Sequence, residues 1–125
     1  MNSTFTKILR IILGIGLIFF GINKLINFMP LPELPENAAN FMGSLRSTGY
    51  MLQFIGLMEI LIGIFFLVNR WVPFALLLLA PISANILLFH LFLDMPGIVG
   101  ALIVFTINVV LIYKYWRTYR PLFQV

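Results

Sequence analysis

Four apolar runs, each about 20 residues long, constrain this chain more than any other feature of its sequence. They cover about residues 8–28, 50–68, 71–93 and 98–116. A run of about this length lets an α-helix cross the hydrocarbon core of a bilayer, where only a helix or a closed barrel satisfies its own backbone hydrogen bonds. The sequence therefore predicts an all-α fold, an integral membrane four-helix bundle.

The composition agrees with this fold class. The chain has 125 residues, of which 62% are hydrophobic and 10% are charged. Soluble domains carry about 25% charged residues, so a soluble protein is excluded. Four spans leave little of the chain for anything else, and we therefore expect one transmembrane domain over residues 1–125.

The net charge of +4 would suggest nucleic-acid binding in a soluble protein. Here the basic residues lie at the ends of the apolar runs, where they set the orientation of the spans, so we expect a lipid bilayer and no nucleic acid as partner. With four spans, both termini are expected in the cytoplasm. Six of the eight basic residues then lie on that side: Lys7, Arg10, Arg70, Lys114, Arg117 and Arg120.

The connection between the first two spans begins with three prolines, Pro30, Pro32 and Pro35. Proline removes backbone donors and favours an extended chain, so the first span should end by about Phe28. Residues 36–49 then have one apolar side and one polar side. We expect them to form a short interfacial helix that caps the bundle.

Glycines lie in stripes on the first two spans. Gly14 and Gly21 share a helix face with Lys24, and Gly56 and Gly63 share a face with Glu59. Small residues at such a spacing let two membrane helices approach closely. We therefore expect these stripes to be packing surfaces.

Glu59 is the only acid in the interior of an apolar run. A carboxylate at that depth is costly, so it needs a partner, and the helical rise places Lys24 within the combined reach of the two side chains. One interpretation is a structural pair that fixes helix register. The other is a functional site, because ionisable groups inside a membrane usually mark one.

The third span adds Asn85 and His90 and ends at Asp94. Because these residues fall in the same outer half of the membrane as Lys24 and Glu59, we predict a polar pocket that opens to the non-cytoplasmic side. These five residues are the candidates for ligand binding or proton handling, and the catalytic residues stay open. His90 could instead simply pair with Asp94, four residues away.

Other residues are weaker candidates for the predicted pocket. Phe20, Phe54 and Phe89 are candidate apolar walls, although aromatic residues in membrane helices usually only pack. Asn108 and Asn85 more often bond neighbouring helices than ligands. A metal held by His90, Asp94 and Glu59 would need ligands from different depths, and we predict none.

Cysteine is absent and His90 is the single histidine. The chain therefore has no disulfide, no thiolate ligand for a metal or an iron–sulfur cluster, and no pair of histidines for a haem. We expect this chain alone to hold no redox cofactor.

The sequence resembles the DoxX family of small bacterial membrane proteins over nearly its whole length. The most specific motifs are G-x-N-K, which ends at Lys24, the lone Glu59 in GLMEILIG, and A-P-x-x-x-N-x-x-x-F-H, which carries Asn85 and His90. The resemblance extends to three further segments: LRIILGIGLIFFGINKL (9–25), FMGSLRSTGY (41–50) and RWVPFALLLLAPISANILLFHLFLD (70–94).

The resemblance implies a multi-pass protein of the bacterial inner membrane with links to membrane redox systems. On this basis the leading hypothesis is an accessory subunit of a quinone-linked redox system, working as a homo-oligomer or with partner membrane or redox subunits. A structural or assembly subunit without enzymatic activity is the alternative. A small transporter or proton channel ranks last, because no second acid continues a path to the cytoplasm.

Overall fold

The computed structural model describes residues 4–26 and 33–124, and every regular element among them is helical. Four stretches are long and apolar enough to cross a membrane: Thr4–Ile26, Met51–Val68, Val72–Phe92 and Met95–Lys114. The predicted all-α architecture with four spans is confirmed. The α-helices are α1 (Thr4–Ile26), α2 (Glu36–Ser47), α3 (Met51–Val68), α4 (Val72–Phe92), α5 (Ile98–Lys114) and α6 (Trp116–Tyr119).

The helix bounds differ from the predicted spans mainly at two places. α1 begins at Thr4 rather than at about residue 8, and the Thr6 side chain is already buried. α5 ends at Lys114 because Tyr115 leaves the helical conformation before α6 begins. The predicted end of the first span at Phe28 and the connection through Pro30 and Pro32 lie outside the described residues.

α1 and α3 pack antiparallel with their backbones in contact. A Cβ atom added at Gly21 would lie 2.7 Å from the Gly56 carbonyl oxygen, and one added at Gly63 would lie 2.8 Å from that of Gly14. Real Cβ atoms do not approach so closely, so only glycine fits at these positions. The predicted role of the glycine stripes in packing is confirmed.

A short turn joins α3 to α4, as the sequence predicts for an antiparallel hairpin. Asn69 and Trp71 both adopt left-handed backbone conformations on either side of Arg70. α4 packs against α3 and α5, and α5 also contacts α1, so the four spans close into a ring. The shared core consists of Leu13, Leu17, Ile62, Phe66, Val72, Ala75, Leu76, Leu79, Ile107 and Leu111.

α2 confirms the short helix predicted over residues 36–49, although it ends at Ser47. It buries Ala38 completely, and its Phe41 ring lies 5.6 Å from the Phe89 ring of α4. The Thr48 hydroxyl accepts a hydrogen bond from the Met51 N–H and so caps the start of α3. α2 therefore lies at the end of the bundle where α3 begins and α4 ends.

Candidate functional site

The centre of the bundle holds an ion pair between α1 and α3. Lys24 Nζ lies 2.7 Å from Glu59 Oε1. The Glu59 side chain is 2% exposed and the Lys24 side chain is 24% exposed. Glu59 stands eight residues into α3, about 12 Å from its start, so its carboxylate lies near the middle of that span.

The register of α1 on α3 explains how these two residues meet. Gly14 lies opposite Gly63 and Gly21 lies opposite Gly56, so residues of α1 and α3 that face each other have numbers that add to 77. The Lys24 backbone therefore lies opposite position 53, which is about 9 Å along α3 from Glu59. Side chains in a helix slant toward its N-terminus. Because the helices are antiparallel, Lys24 and Glu59 slant toward each other and bridge this distance.

Gly56 keeps the path between them open. A Cβ atom at position 56 would lie 3.1 Å from Lys24 Cβ and 2.8 Å from the Gly21 carbonyl oxygen. The glycine therefore lets the stem of Lys24 cross the surface of α3 toward Glu59. The spacing G-x-x-E serves the ion pair as well as helix packing.

The ammonium group of Lys24 is the close partner of the buried Glu59 Oε1. The 2.7 Å between the two atoms is a hydrogen-bonding distance, although the angles are not those of a well-aligned hydrogen bond. A buried carboxylate normally has its oxygens satisfied by donors. Glu59 therefore depends on Lys24 to compensate its charge.

A second polar pair lies where α4 ends. His90 Nδ1 lies 3.1 Å from Asp94 Oδ2 and 3.1 Å from the Asp94 backbone oxygen. Gly97 packs against this pair, because a Cβ atom there would lie 2.7 Å from Asp94 Oδ2 and 2.9 Å from His90 Cε1. The simple i, i+4 pairing that the sequence offered for His90 is what the structure shows.

The structure pairs Lys24 with Glu59 and His90 with Asp94. The single pocket predicted from the sequence stays a prediction. Among the described residues, no ion pair or hydrogen bond joins His90 or Asp94 to Lys24 or Glu59. Asn85 is exposed on the outer face of α4, where its Nδ2 donates to the Pro81 carbonyl at 2.9 Å. The depth of a residue along its helix follows from the sequence. The direction in which its side chain points within the bundle depends on which helices are neighbours.

The predicted aromatic walls are wrong in two of three cases. Phe20 and Phe54 are exposed on the outside of the bundle, at 48% and 57%. Phe89 is partly buried between the Phe41 and His90 rings. A shallow apolar groove of about 280 Å³ lies elsewhere, on α5, and is lined by Leu102, Ile103, Thr106 and Ile107.

No three side chains among the histidine, aspartate and glutamate residues of the described ranges 4–26 and 33–124 cluster closely enough to hold a metal ion. Glu59 in particular is separated from the His90–Asp94 pair in the network of polar contacts. The arrangement offers proton donors and acceptors rather than a coordination shell.

Arg10 is a functional group that the sequence interpretation placed at the surface. It is buried at 7% exposure, and its Nη1 donates to the carbonyl oxygen of Phe66 in the last turn of α3. Carbonyls in that turn have no partner inside their own helix, so a cation completes the cap. The signal was present in the sequence, because Arg10 is one turn before Gly14 on the packing face.

A neutral polar network joins α4 and α5. Ser83 Oγ donates to Asn108 Oδ1 at 2.7 Å, and Asn108 Nδ2 donates to the Leu76 carbonyl oxygen at 3.2 Å. Ser83 and Asn108 are both buried. The expectation that Asn108 bonds a neighbouring helix is confirmed, whereas its partner Ser83 was not predicted.

Tyr119 ties the C-terminal segment to the start of α4. Its hydroxyl donates to the Pro73 carbonyl oxygen at 2.6 Å, and the residue is 3% exposed. Burial and, secondarily, the neighbouring Tyr115 raise the pKa of Tyr119, so the hydroxyl keeps the proton that it donates.

Most of the chain matches the model of a known family. The family model described as DoxX matches residues 5–91 of the chain. The chain belongs to the DoxX family. No curated protein and no solved structure matches the chain.

Some of the polar residues lie inside the part of the chain that matches the DoxX model, and others lie beyond it. The matched part includes both members of the ion pair, Lys24 and Glu59, together with Asn85 and His90. Asp94 and Asn108 lie beyond its end at residue 91. Both members of the ion pair between α1 and α3 therefore fall in the DoxX part of the chain.

Proposed function

We propose that this DoxX protein is an accessory subunit of a quinone-linked redox system of the bacterial membrane, and that its Lys24–Glu59 pair is the site that meets the quinone. The observation that carries this proposal is the Glu59 carboxylate, buried near the middle of a span and paired with a partly exposed ammonium group. Ionisable groups at such a depth usually serve function.

The two members of the pair fit different tasks. Lys24 is accessible enough to donate a hydrogen bond to the carbonyl oxygen of a lipid-soluble ligand that approaches along α1. Glu59 lies behind it and can accept or return a proton. A bound quinone supplies the capacity to take up electrons, whereas this chain binds its carbonyl group and handles a proton.

The electrons must come from a partner subunit under this proposal. The chain has no cysteine and one histidine, and that histidine is paired with Asp94. His90 is therefore assigned a supporting role at the end of α4 rather than contact with the quinone. This changes the role that sequence alone suggested for it.

The test measures the melting temperature of the purified protein in detergent with increasing menadione, a short soluble quinone. A ligand that binds only the folded state raises the melting temperature with its concentration. We expect such a rise for the wild type. The double variant Lys24→Met, Glu59→Leu should fold, because both charges are removed together, but it should lose the rise.

Lys7→Met is the matched control, since it makes the same change on the same helix at an exposed position. It should keep the full rise with menadione. If the wild type shows no rise, or if the double variant rises as much as the wild type, the quinone proposal is wrong.

A structural or assembly subunit is the second candidate function. It is favoured by the close backbone contact between α1 and α3 and by the 2% exposure of Glu59, which suit a pair that fixes register. Under this alternative the ion pair would stabilise the bundle without binding any ligand. A flat melting response to menadione, with strong coupling between Lys24 and Glu59, would support it.

We further propose that both termini face the cytoplasm in the bacterial inner membrane. Arg10, Arg70 and Lys114 lie at one end of the bundle, and positive charge favours the cytoplasmic side. A reporter enzyme fused after Val125 should be active only in the cytoplasm. Periplasmic activity would reverse the orientation and place α2 on the inner side.

A further inference from the structure

Asn85 is the polar residue of α4 that points away from the bundle. It is exposed, and it lies seven residues before Phe92 and thirteen after Val72, about 10 and 20 Å from the two helix ends. At 100° per residue it is roughly opposite Leu76, which is completely buried. In a bilayer this amide would therefore face the hydrocarbon core.

The internal hydrogen bond does not satisfy the Asn85 amide. Nδ2 donates to the Pro81 carbonyl, which uses one of its two hydrogens. The other hydrogen and Oδ1 have no partner among the described residues. Lipid chains offer neither donors nor acceptors, so an unpaired amide is costly at this depth.

The same face of α4 has the residue spacing of a surface that packs against another helix. Its exposed residues are spaced by three and four positions and fall within an arc of about 80°. This spacing is typical of a seam between packed helices. We call this surface the Asn85 face; it consists of Phe74, Leu77, Pro81, Asn85, Leu88 and Phe92.

We propose that the Asn85 face binds the same face of a second copy of this chain. A two-fold axis along the membrane normal runs the two α4 helices side by side in the same direction, so a residue that faces the axis lies beside its own copy. An asparagine amide both donates and accepts, so two Asn85 side chains satisfy each other. A second copy therefore provides, from this chain alone, the matching chemistry that lipid lacks.

The absence of cysteine makes the interface directly testable. We would introduce Leu88→Cys or Phe92→Cys and oxidise native membranes that contain either variant. Both positions lie on the Asn85 face, at 48% and 80% exposure, and should yield disulfide-linked dimers. Matched controls are Leu102→Cys and Val99→Cys, which are 45% and 66% exposed near the same end of the bundle but on α5, and should not.

The amide itself is tested by comparing Asn85→Leu with Asn85→Gln through the dimer dissociation constant in detergent. Loss of the amide should weaken the dimer by roughly 3- to 20-fold, the range that interhelical hydrogen bonds contribute. Gln keeps a donor and an acceptor and should weaken it less. Because Asn85 is exposed, both variants should keep the wild-type melting temperature of the monomer.

Four results would overturn the proposal. The first is equal cross-linking at Leu102 and Leu88. The second is the absence of dimers with every variant, and the third is an unchanged dissociation constant for Asn85→Leu. The fourth is cross-linking of Leu88→Cys only to a different membrane protein. None of these results depends on quinone binding, so this proposal can fail or stand separately from the proposed function.

Discussion

The α1–α3 pair and the α4–α5 pair bury polar groups in opposite ways. Between α1 and α3 an ion pair joins Lys24 to the buried carboxylate of Glu59. Between α4 and α5 the buried groups are neutral, and Ser83 and Asn108 share a hydrogen bond. One pair concentrates charge where the backbones are closest, and the other uses hydrogen bonds between side chains.

The glycines show the same contrast. Gly14, Gly21, Gly56 and Gly63 are all in van der Waals contact with the opposite helix, whereas a Cβ atom at Gly100 of α5 would meet nothing within 4 Å. The α1–α3 interface is formed by backbone atoms, which cannot move aside for an added group. The α4–α5 interface is formed by side chains, which can repack.

The two interfaces also differ in what happens when a partner is lost. Glu59 is too buried to reach water if Lys24 is removed. Ser83 has an alternative, because its hydroxyl lies 3.1 Å from the carbonyl oxygen of Ala80 in its own helix. The neutral network can therefore fall back on local acceptors when a partner is lost, whereas the charged pair between helices has no substitute partner.

The largest effect should come from Lys24→Met. It leaves the Glu59 carboxylate buried without a cation, which costs about 3–5 kcal/mol. Glu59→Leu should cost less, because Lys24 is partly exposed and its long side chain can reach toward the interface. The double variant Lys24→Met, Glu59→Leu should be nearly as stable as the wild type. Unfolding in detergent measures all three stabilities.

If the losses of stability in the two single variants add up to the loss in the double variant, Lys24 and Glu59 are not coupled as proposed. If the two single variants lose equal stability, the difference in exposure between Lys24 and Glu59 does not determine the cost.

A smaller effect is expected from Gly63→Ala. The added Cβ atom would lie 2.7 Å from Ile18 Cγ1 and 2.8 Å from the Gly14 carbonyl oxygen, so α1 must shift. Overpacking of this kind costs about 1–3 kcal/mol. Gly16→Ala and Gly100→Ala are matched controls, because a Cβ atom at either position meets nothing within 4 Å.

Both control variants should be as stable as the wild type or slightly more stable, since alanine is the better helix former. If Gly100→Ala destabilises the protein as much as Gly63→Ala, the contrast between the two interfaces does not hold. Melting temperatures in one detergent suffice for the comparison.

The smallest effect should come from Asn108→Leu. It removes the hydrogen bonds to Leu76 and from Ser83, but Ser83 can turn its proton to Ala80. Interhelical hydrogen bonds in membranes contribute on average about 0.6 kcal/mol each, so a loss of about 1 kcal/mol is expected. A loss as large as that of Lys24→Met would show that the neutral network has no fallback.

Much of the fold was predictable from sequence, because length, apolar character and helical periodicity act locally. The four spans, the glycine contacts and the pairing of Lys24 with Glu59 follow from helical rise and from 100° per residue. The antiparallel hairpin through Asn69 follows from the shortness of its turn. The ion pair was predictable although it joins two helices, because the costly carboxylate needs a cation and Lys24 lies within its reach.

The candidate site was predicted only in part, because its remaining features depend on helix neighbours. The sequence places Asn85 and His90 at the depth of the ion pair, but α4 turns Asn85 outward and pairs His90 with Asp94. The position of Arg10 one turn before Gly14 indicates that it faces another helix, but not that its acceptor is a carbonyl of α3. Depth is a property of one helix, whereas contact is a property of two.

The bond between Arg10 and Phe66 also bears on how the protein is made. Its acceptor lies 56 residues further along the chain. At about 5–20 residues per second, the ribosome reaches α3 several seconds after it has finished Arg10. During that delay α1 carries two cations, Arg10 and Lys24, whose partners do not yet exist. We expect α1 to remain beside the insertion machinery until α3 arrives, and cross-linking of stalled nascent chains would time its release.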